Sequence, residues 1–119
     1  MWGENDCCLF TANWMRAVTG IDGGAPWRGR YGSENECLAL LERQGGIAGV
    51  MARGAGLVGL PATANPVRGD VGVIKVRAAR GEPRVGAICT GRRWAVMSAL
   101  GIRSLRGEVE AAWSAQHVL

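Results

Sequence analysis

The residues best suited to chemistry stand near the start of the chain, in "WGENDCCLF", Trp2 to Phe10, where Asp6 is followed by two adjacent cysteines, Cys7 and Cys8. Helical neighbours project about 100° apart, so at most one of the two thiols faces a given site. Asp6 is a good N-cap, and the pattern after it predicts a helix over residues 7–19 that stops at Gly20. A thiol at the first helical position lies close to unpaired backbone N–H groups and to the positive end of the dipole. Both favour the thiolate and make Cys7 a candidate nucleophile. The competing reading is that both cysteines are small core residues. Few groups can act as a base for such a thiol. His117 is the only imidazole, two residues from the end of the chain, where a surface or rim position is the default. Asp6 and Asp70 can orient a partner, but a carboxylate near its ordinary pKa is a poor base for a thiol.

The rest of the chain supplies the elements that would position these groups. Cys7, Phe10 and Trp14 share one face of the first helix, with Leu9 and Val18 beside it. Residues 21–32, "IDGGAPWRGRYG", read as an ordered glycine-rich loop. In it Trp27, Arg28, Arg30 and Tyr31 are the candidates for exposed binding contacts. The alternative is a loop pinned by Trp27 and Tyr31 with its arginines solvated. Ser33 and Glu36 form an S-x-x-E capping box for a second helix over residues 34–44, ended by Gly45-Gly46. A short helix near residues 47–53 and then a loop are expected next, since the glycines there weaken a longer helix. From Val67 the pattern becomes strand-like, with strands expected over residues 71–76, 84–91, 94–99 and 102–105 and a loop over 77–83. The last segment, from Gly107, suits a strand or a short helix. Helices first and a small antiparallel sheet second is the α+β order. We expect a single domain over residues 1–119, with a helical half at 1–66 and a sheet half at 67–119.

Composition bounds the function classes. The chain is 48% hydrophobic and 20% charged, as a globular protein is. No apolar run approaches the roughly 20 residues of a membrane span. The start, "MWGEND", has neither a basic stretch nor an apolar core, so it does not read as a signal peptide. The expected location is cytoplasmic as synthesised, and later association with a virion would leave no mark on the sequence. Four cysteines without framework spacing, no C-x-x-C and one histidine argue against a metal site, and no cofactor is expected. Cys37 and Cys89 lie in apolar patterns and read as buried free thiols of a reducing compartment. Net charge is +4, concentrated in residues 66–106, where nine basic residues face only Asp70 and Glu82. That segment suits an acidic partner, but Trp94 is its only aromatic residue, so a solvated arginine-rich surface is preferred over a nucleic-acid site.

"DCCLFTANWM", followed by "RGDVGVI" and "VGAICTG", resembles the NlpC-type papain-like cysteine peptidases, above all their compact phage and prophage members. "RGRY" at 28–31 and "GG" at 45–46 resemble that phage subgroup too, and the likeness runs from Trp2 to about Ser98. In the family a D-C pair heads a helix, a turn ending in G-D leads into the first sheet strand, and a histidine starts the next. The resemblance implies a minimal papain-like α+β fold, with Cys7 at the nucleophile position, Asp6 before it and Arg68-Gly69-Asp70 as the turn. Cys8 stands where the family has a small residue.

The family's general base is missing. Its histidine position falls on Arg84, or on Val85 if the strand is aligned from Gly91. Neither accepts a proton from a thiol. The polar residue that orients the histidine falls near Ser98. A base contributes about 10²–10⁴-fold, and no acid for a leaving amine is evident. Two readings follow. In one, the chain is a degenerate scaffold that binds a partner: a phage particle or tail component, a cell-wall fragment, or a host protein it inhibits. In the other it is an active cysteine hydrolase of peptide or amide bonds with Cys7 as nucleophile.

Overall fold

Three helices precede a five-stranded antiparallel sheet, an α+β fold with the helices N-terminal to the sheet. The computed structural model describes residues 9–30, 32–76, 84–98 and 101–119, with the side chains of Glu34 and Leu38 left aside. Helix α1 is Phe10–Thr19, capped at its start by the backbone of Leu9. The helical start expected at Cys7 is therefore corrected to Phe10, with Leu9 at the N-cap position; Asp6, the cap expected, lies outside the described residues. The end is as expected: Gly20 takes a left-handed conformation at φ 79° and its N–H bonds to the Arg16 carbonyl.

Helix α2, Glu34–Arg43, is started by the capping box. Ser33 Oγ accepts from the Glu36 N–H at 3.2 Å, and the Glu36 carboxylate reaches back to the N–H of Gly32 at 3.0 Å. Helix α3, Gly46–Val58, is longer than the short helix expected. Its buried face, Ile47, Val50, Met51, Gly54, Ala55 and Val58, recurs at three- and four-residue spacing. The glycines that weaken the helix locally serve a close contact. A Cβ on Gly23 of the loop would come within 2.8 Å of the Gly54 carbonyl. Tertiary packing thus carries a helix that propensity alone would shorten.

The strands are β1 (Val71–Lys75), β2 (Arg84–Cys89), β3 (Trp94–Ser98), β4 (Gly101–Leu105) and β5 (Glu108–Trp113), in the order β4-β3-β2-β1-β5. The last segment is a strand, and it crosses back to pair with β1. A bulge between Val73 and Ile74 interrupts that ladder. The loop expected over residues 77–83 lies outside the described residues. Alternation along β1 separates two cores. Val71 and Val73 pack with Leu9, Met15, Ile47, Met51 and Trp113 on the helical side. Ile74 packs on the other face with Ala87, Cys89, Trp94 and Val96. Cys89 is buried and free as expected, whereas Cys37 is buried and disulfide-bonded, which corrects the free thiol expected there.

The glycine-rich loop is held by an ion pair. Arg28 Nε donates to Asp22 Oδ2 at 2.8 Å, and its terminal nitrogen donates to Asp22 Oδ1 and Asn13 Oδ1, both at 2.9 Å. Arg28's hydrogen bond, against the opposing effect of burial, holds the Asp22 carboxyl below its ordinary range. A depressed carboxylate stabilises the fold above its unfolded pKa, and that contribution is lost as pH falls through the folded value. Arg28→Gln is expected to cost about 1–2 kcal/mol at neutral pH. In urea titrations the gap between variant and wild type should stay constant above about pH 5 and close below about pH 4. A gap independent of pH would show that Arg28 acts through packing rather than through this pair.

Candidate functional site

Strand parity decides which sheet residues can face α1. Gly86 lies beneath α1 and α3, where an added Cβ would meet Thr11 at 3.4 Å and Met51 Sδ at 3.0 Å. Ile88 packs against the same helical core. Arg84, two residues before Gly86, shares that face, whereas Val85 packs with Ala87 and Cys89 on the opposite one. Of the two alignments of the absent histidine, only Arg84 lies on the helical side. Its Nε donates to Glu110 Oε2 at 2.7 Å, and Lys75 Nζ lies 3.4 Å from Glu110 Oε1. Arg84's hydrogen bond holds the Glu110 carboxyl below its usual range. The position therefore carries a paired cation with no proton-accepting atom.

Ser98 does not join it. Trp94 and Val96 pack on the face away from the helices, and alternation puts Ser98 on that face too. Its Oγ donates to the Gly101 carbonyl at 2.7 Å and links the end of β3 to the start of β4. The expected third-residue role of Ser98 beside position 84 is corrected on that ground. Asp6, Cys7, Cys8 and Tyr31 lie outside the described residues.

The direction of α1 bears on His117. Thr11 sits over Gly86, and the Trp14 indole N–H donates to the Gly69 carbonyl at 2.8 Å. Because Val73 pairs with Gly86, Lys75 with Arg84 and Val71 with Ile88, α1 starts over the middle of the β1–β2 pair and runs toward the Asp70 end, away from Arg84. His117 is exposed in the C-terminal turn, beside Ala115 and Gln116, which bond to Asp70. Val71 and Lys75, at the two ends of β1, are about 13 Å apart. The single imidazole thus lies at the opposite end of the sheet from Arg84.

Asp70 is only 1% exposed, and both of its carboxylate oxygens accept hydrogen bonds. Oδ1 accepts from the Ala115 N–H at 2.9 Å and from the Gln116 amide at 2.8 Å, and Oδ2 accepts from the Val67 N–H at 2.9 Å. This carboxylate ties a turn to the C-terminal segment, and it is not placed to orient a base.

The second candidate region is the loop. Trp27 is only 7% exposed and Arg28 is bound to Asp22 and Asn13, so neither is the exposed contact expected; Arg30 is exposed. Trp27 and Arg30 nonetheless border a hollow of about 690 Å³ between the loop and the α2–α3 hairpin, with Leu40, Arg43, Arg53 and Leu57 on its other walls. Among the described residues, no group of three or more His, Cys, Asp or Glu could hold a metal ion, and no helix is long and apolar enough to cross a membrane.

A family model matches residues 1–115, an interval that takes in all three helices and all five strands; its description is Domain of unknown function (DUF6950). The chain belongs to this family. No curated protein and no solved structure matches it. Within the DUF6950 chain, Arg43 and Arg53 are the residues that sequence reasoning missed. They stand ten residues apart on two helices, and only the folding of the α2–α3 hairpin brings them to one rim. The available signal was weak: Arg43 ends an apolar helical stretch and Arg53 lies within a glycine-rich one, where an exposed arginine is ordinary.

Proposed function

We propose that this DUF6950 chain is a degenerate papain-like scaffold of the NlpC type that acts by binding rather than by turnover. One observation carries the reading. The sheet end that α1 points away from bears Arg84 and Lys75, each paired with Glu110, while the only imidazole, His117, lies at the other end. A guanidinium cannot take the thiol's proton, so it has no such proton to hand on to the leaving amine.

The partner we favour is a protein component of a phage particle or a cell-wall peptide. Nucleic acid is less well supported, because arginines of the basic segment are used within the protein. Arg84 is paired with Glu110, and Arg93 donates to the Ser104 hydroxyl and carbonyl, both at 3.0 Å. The disulfide at Cys37 supports a place of action outside a reducing cytosol, such as a particle released from a bacterial host in which the chain is made.

The test is hydrolysis of cell-wall peptides by the wild type and by Cys7→Ala, with thiol alkylation followed across pH. We expect the same background cleavage from both and, in the reduced protein, a Cys7 alkylation midpoint near that of an ordinary thiol, about 8.5. Cleavage present in the wild type and abolished in Cys7→Ala would overturn the loss of catalysis and restore the hydrolase.

A further inference from the structure

Three of the residues that line the hollow beside the glycine-rich loop are arginines, Arg30, Arg43 and Arg53, and none is acidic. Two other guanidinium groups have carboxylate partners, Arg28 with Asp22 and Arg84 with Glu110. Among the described residues, no carboxylate pairs with any of the three. Arg53 is directed along the rim by a hydrogen bond to the Gln44 side-chain oxygen. The remaining walls are apolar. Trp27 presents part of an otherwise buried indole, Leu40 is half-buried, and Leu57 is 56% exposed, one of the largest exposures of a big apolar side chain here.

Like charges around one hollow repel one another, and a bound anion relieves that repulsion. Guanidinium forks match the two oxygens of a carboxylate or a phosphate. The volume falls within the roughly 300–1,000 Å³ of small-molecule sites. We propose that this hollow binds a small amphipathic anion, its carboxylate or phosphate held by Arg30, Arg43 and Arg53 and its apolar body resting on Trp27, Leu40 and Leu57. The site uses none of the sheet-end residues, so it stands whether or not the chain turns over a substrate.

Calorimetric titration of the full chain with 1-naphthyl phosphate, 1-naphthoate, 1-naphthol and inorganic phosphate tests it. At least one of the two charged naphthyl probes should bind, and whichever binds more tightly identifies the preferred head group. Naphthol, which has the body without the charge, and inorganic phosphate, which has the charge without the body, should each bind at least about tenfold more weakly. Arg43→Gln/Arg53→Gln should weaken the charged probe at least about tenfold, and so should added salt. Leu57→Glu, at an exposed rim position, should weaken it similarly by repulsion. Arg103→Gln on β4 should leave it unchanged. The proposal is overturned if neither anionic probe binds better than naphthol, or if binding survives in both Arg43→Gln/Arg53→Gln and Leu57→Glu while circular dichroism shows them folded.

Discussion

Replacing Asp70 by alanine is expected to destabilise the fold by about 2–4 kcal/mol, among the largest effects of any single side chain here. The substitution leaves the backbone of the turn intact, including the bonds by which Gly69 and Asp70 meet Cys89 at the end of β2. What it removes is the acceptor for three donors: the Ala115 and Val67 N–H groups and the Gln116 amide. Ala115 is fully buried, so its N–H has no water to turn to, and a stranded buried donor costs about 1–3 kcal/mol. Val67 is half exposed and can be partly rehydrated. Asp70→Asn should cost less than alanine, since one oxygen can still serve Ala115 while its NH₂ group faces the Val67 N–H. Thermal unfolding should register the alanine variant as a fall in Tm on the order of 10 °C. An alanine variant within about 0.5 kcal/mol of wild type would show that the C-terminal segment does not depend on this carboxylate.

Trp94→Ala is expected to cost about 3–5 kcal/mol. The indole is 5% exposed and fills the face of the sheet away from the helices with Ile74, Ala87, Cys89 and Val96. It covers Gly72 so closely that a Cβ there would lie 2.9 Å from the ring and 2.9 Å from the Ala111 carbonyl. Gly72→Val should therefore be destabilising by about 1–3 kcal/mol through overpacking. The double variant should be more stable than the two losses summed, by about 1 kcal/mol, because the valine enters space the indole has left. The Ala111 carbonyl stays in place, so the rescue is partial. Strict additivity in urea unfolding would mean that the ring and position 72 do not share that space.

What was legible in the sequence was local or periodic. The capping box at Ser33 and Glu36 depends on four consecutive residues, and it holds. Strand positions from Val71 to Leu105 follow from alternation and turns, and they fall within a residue or two of those observed. The start of α1 did not follow, because Asp6 is a good cap by type whereas the helix begins only after Leu9. The length of α3 was hidden because glycine propensity is local while the Gly23–Gly54 contact joins distant segments. At the candidate site, the absence of a histidine was plain from residue type. Choosing Arg84 over Val85 required knowing which face Gly86 turns to α1. Counting by twos from Trp94 would have separated Ser98 from that face, had the burial of Trp94 been known. Arg43 and Arg53 carry no motif, and their place beside Arg30 on one hollow exists only in three dimensions.

The place of β5 has a consequence for how the chain is assembled in time. Strands β1 to β4 form successive antiparallel neighbours and can zip as they emerge, but β1 is flanked on its other side by the strand made last. Until Trp113 reaches Val71, that flank presents unpaired N–H and C=O groups and leaves Val71 and Val73 short of part of their cover. Closing it spans most of the sheet half, which is entropically slow. A nascent or partly unfolded molecule therefore carries a sticky ribbon at its centre, and pairing between two such ribbons is the misassembly this topology invites.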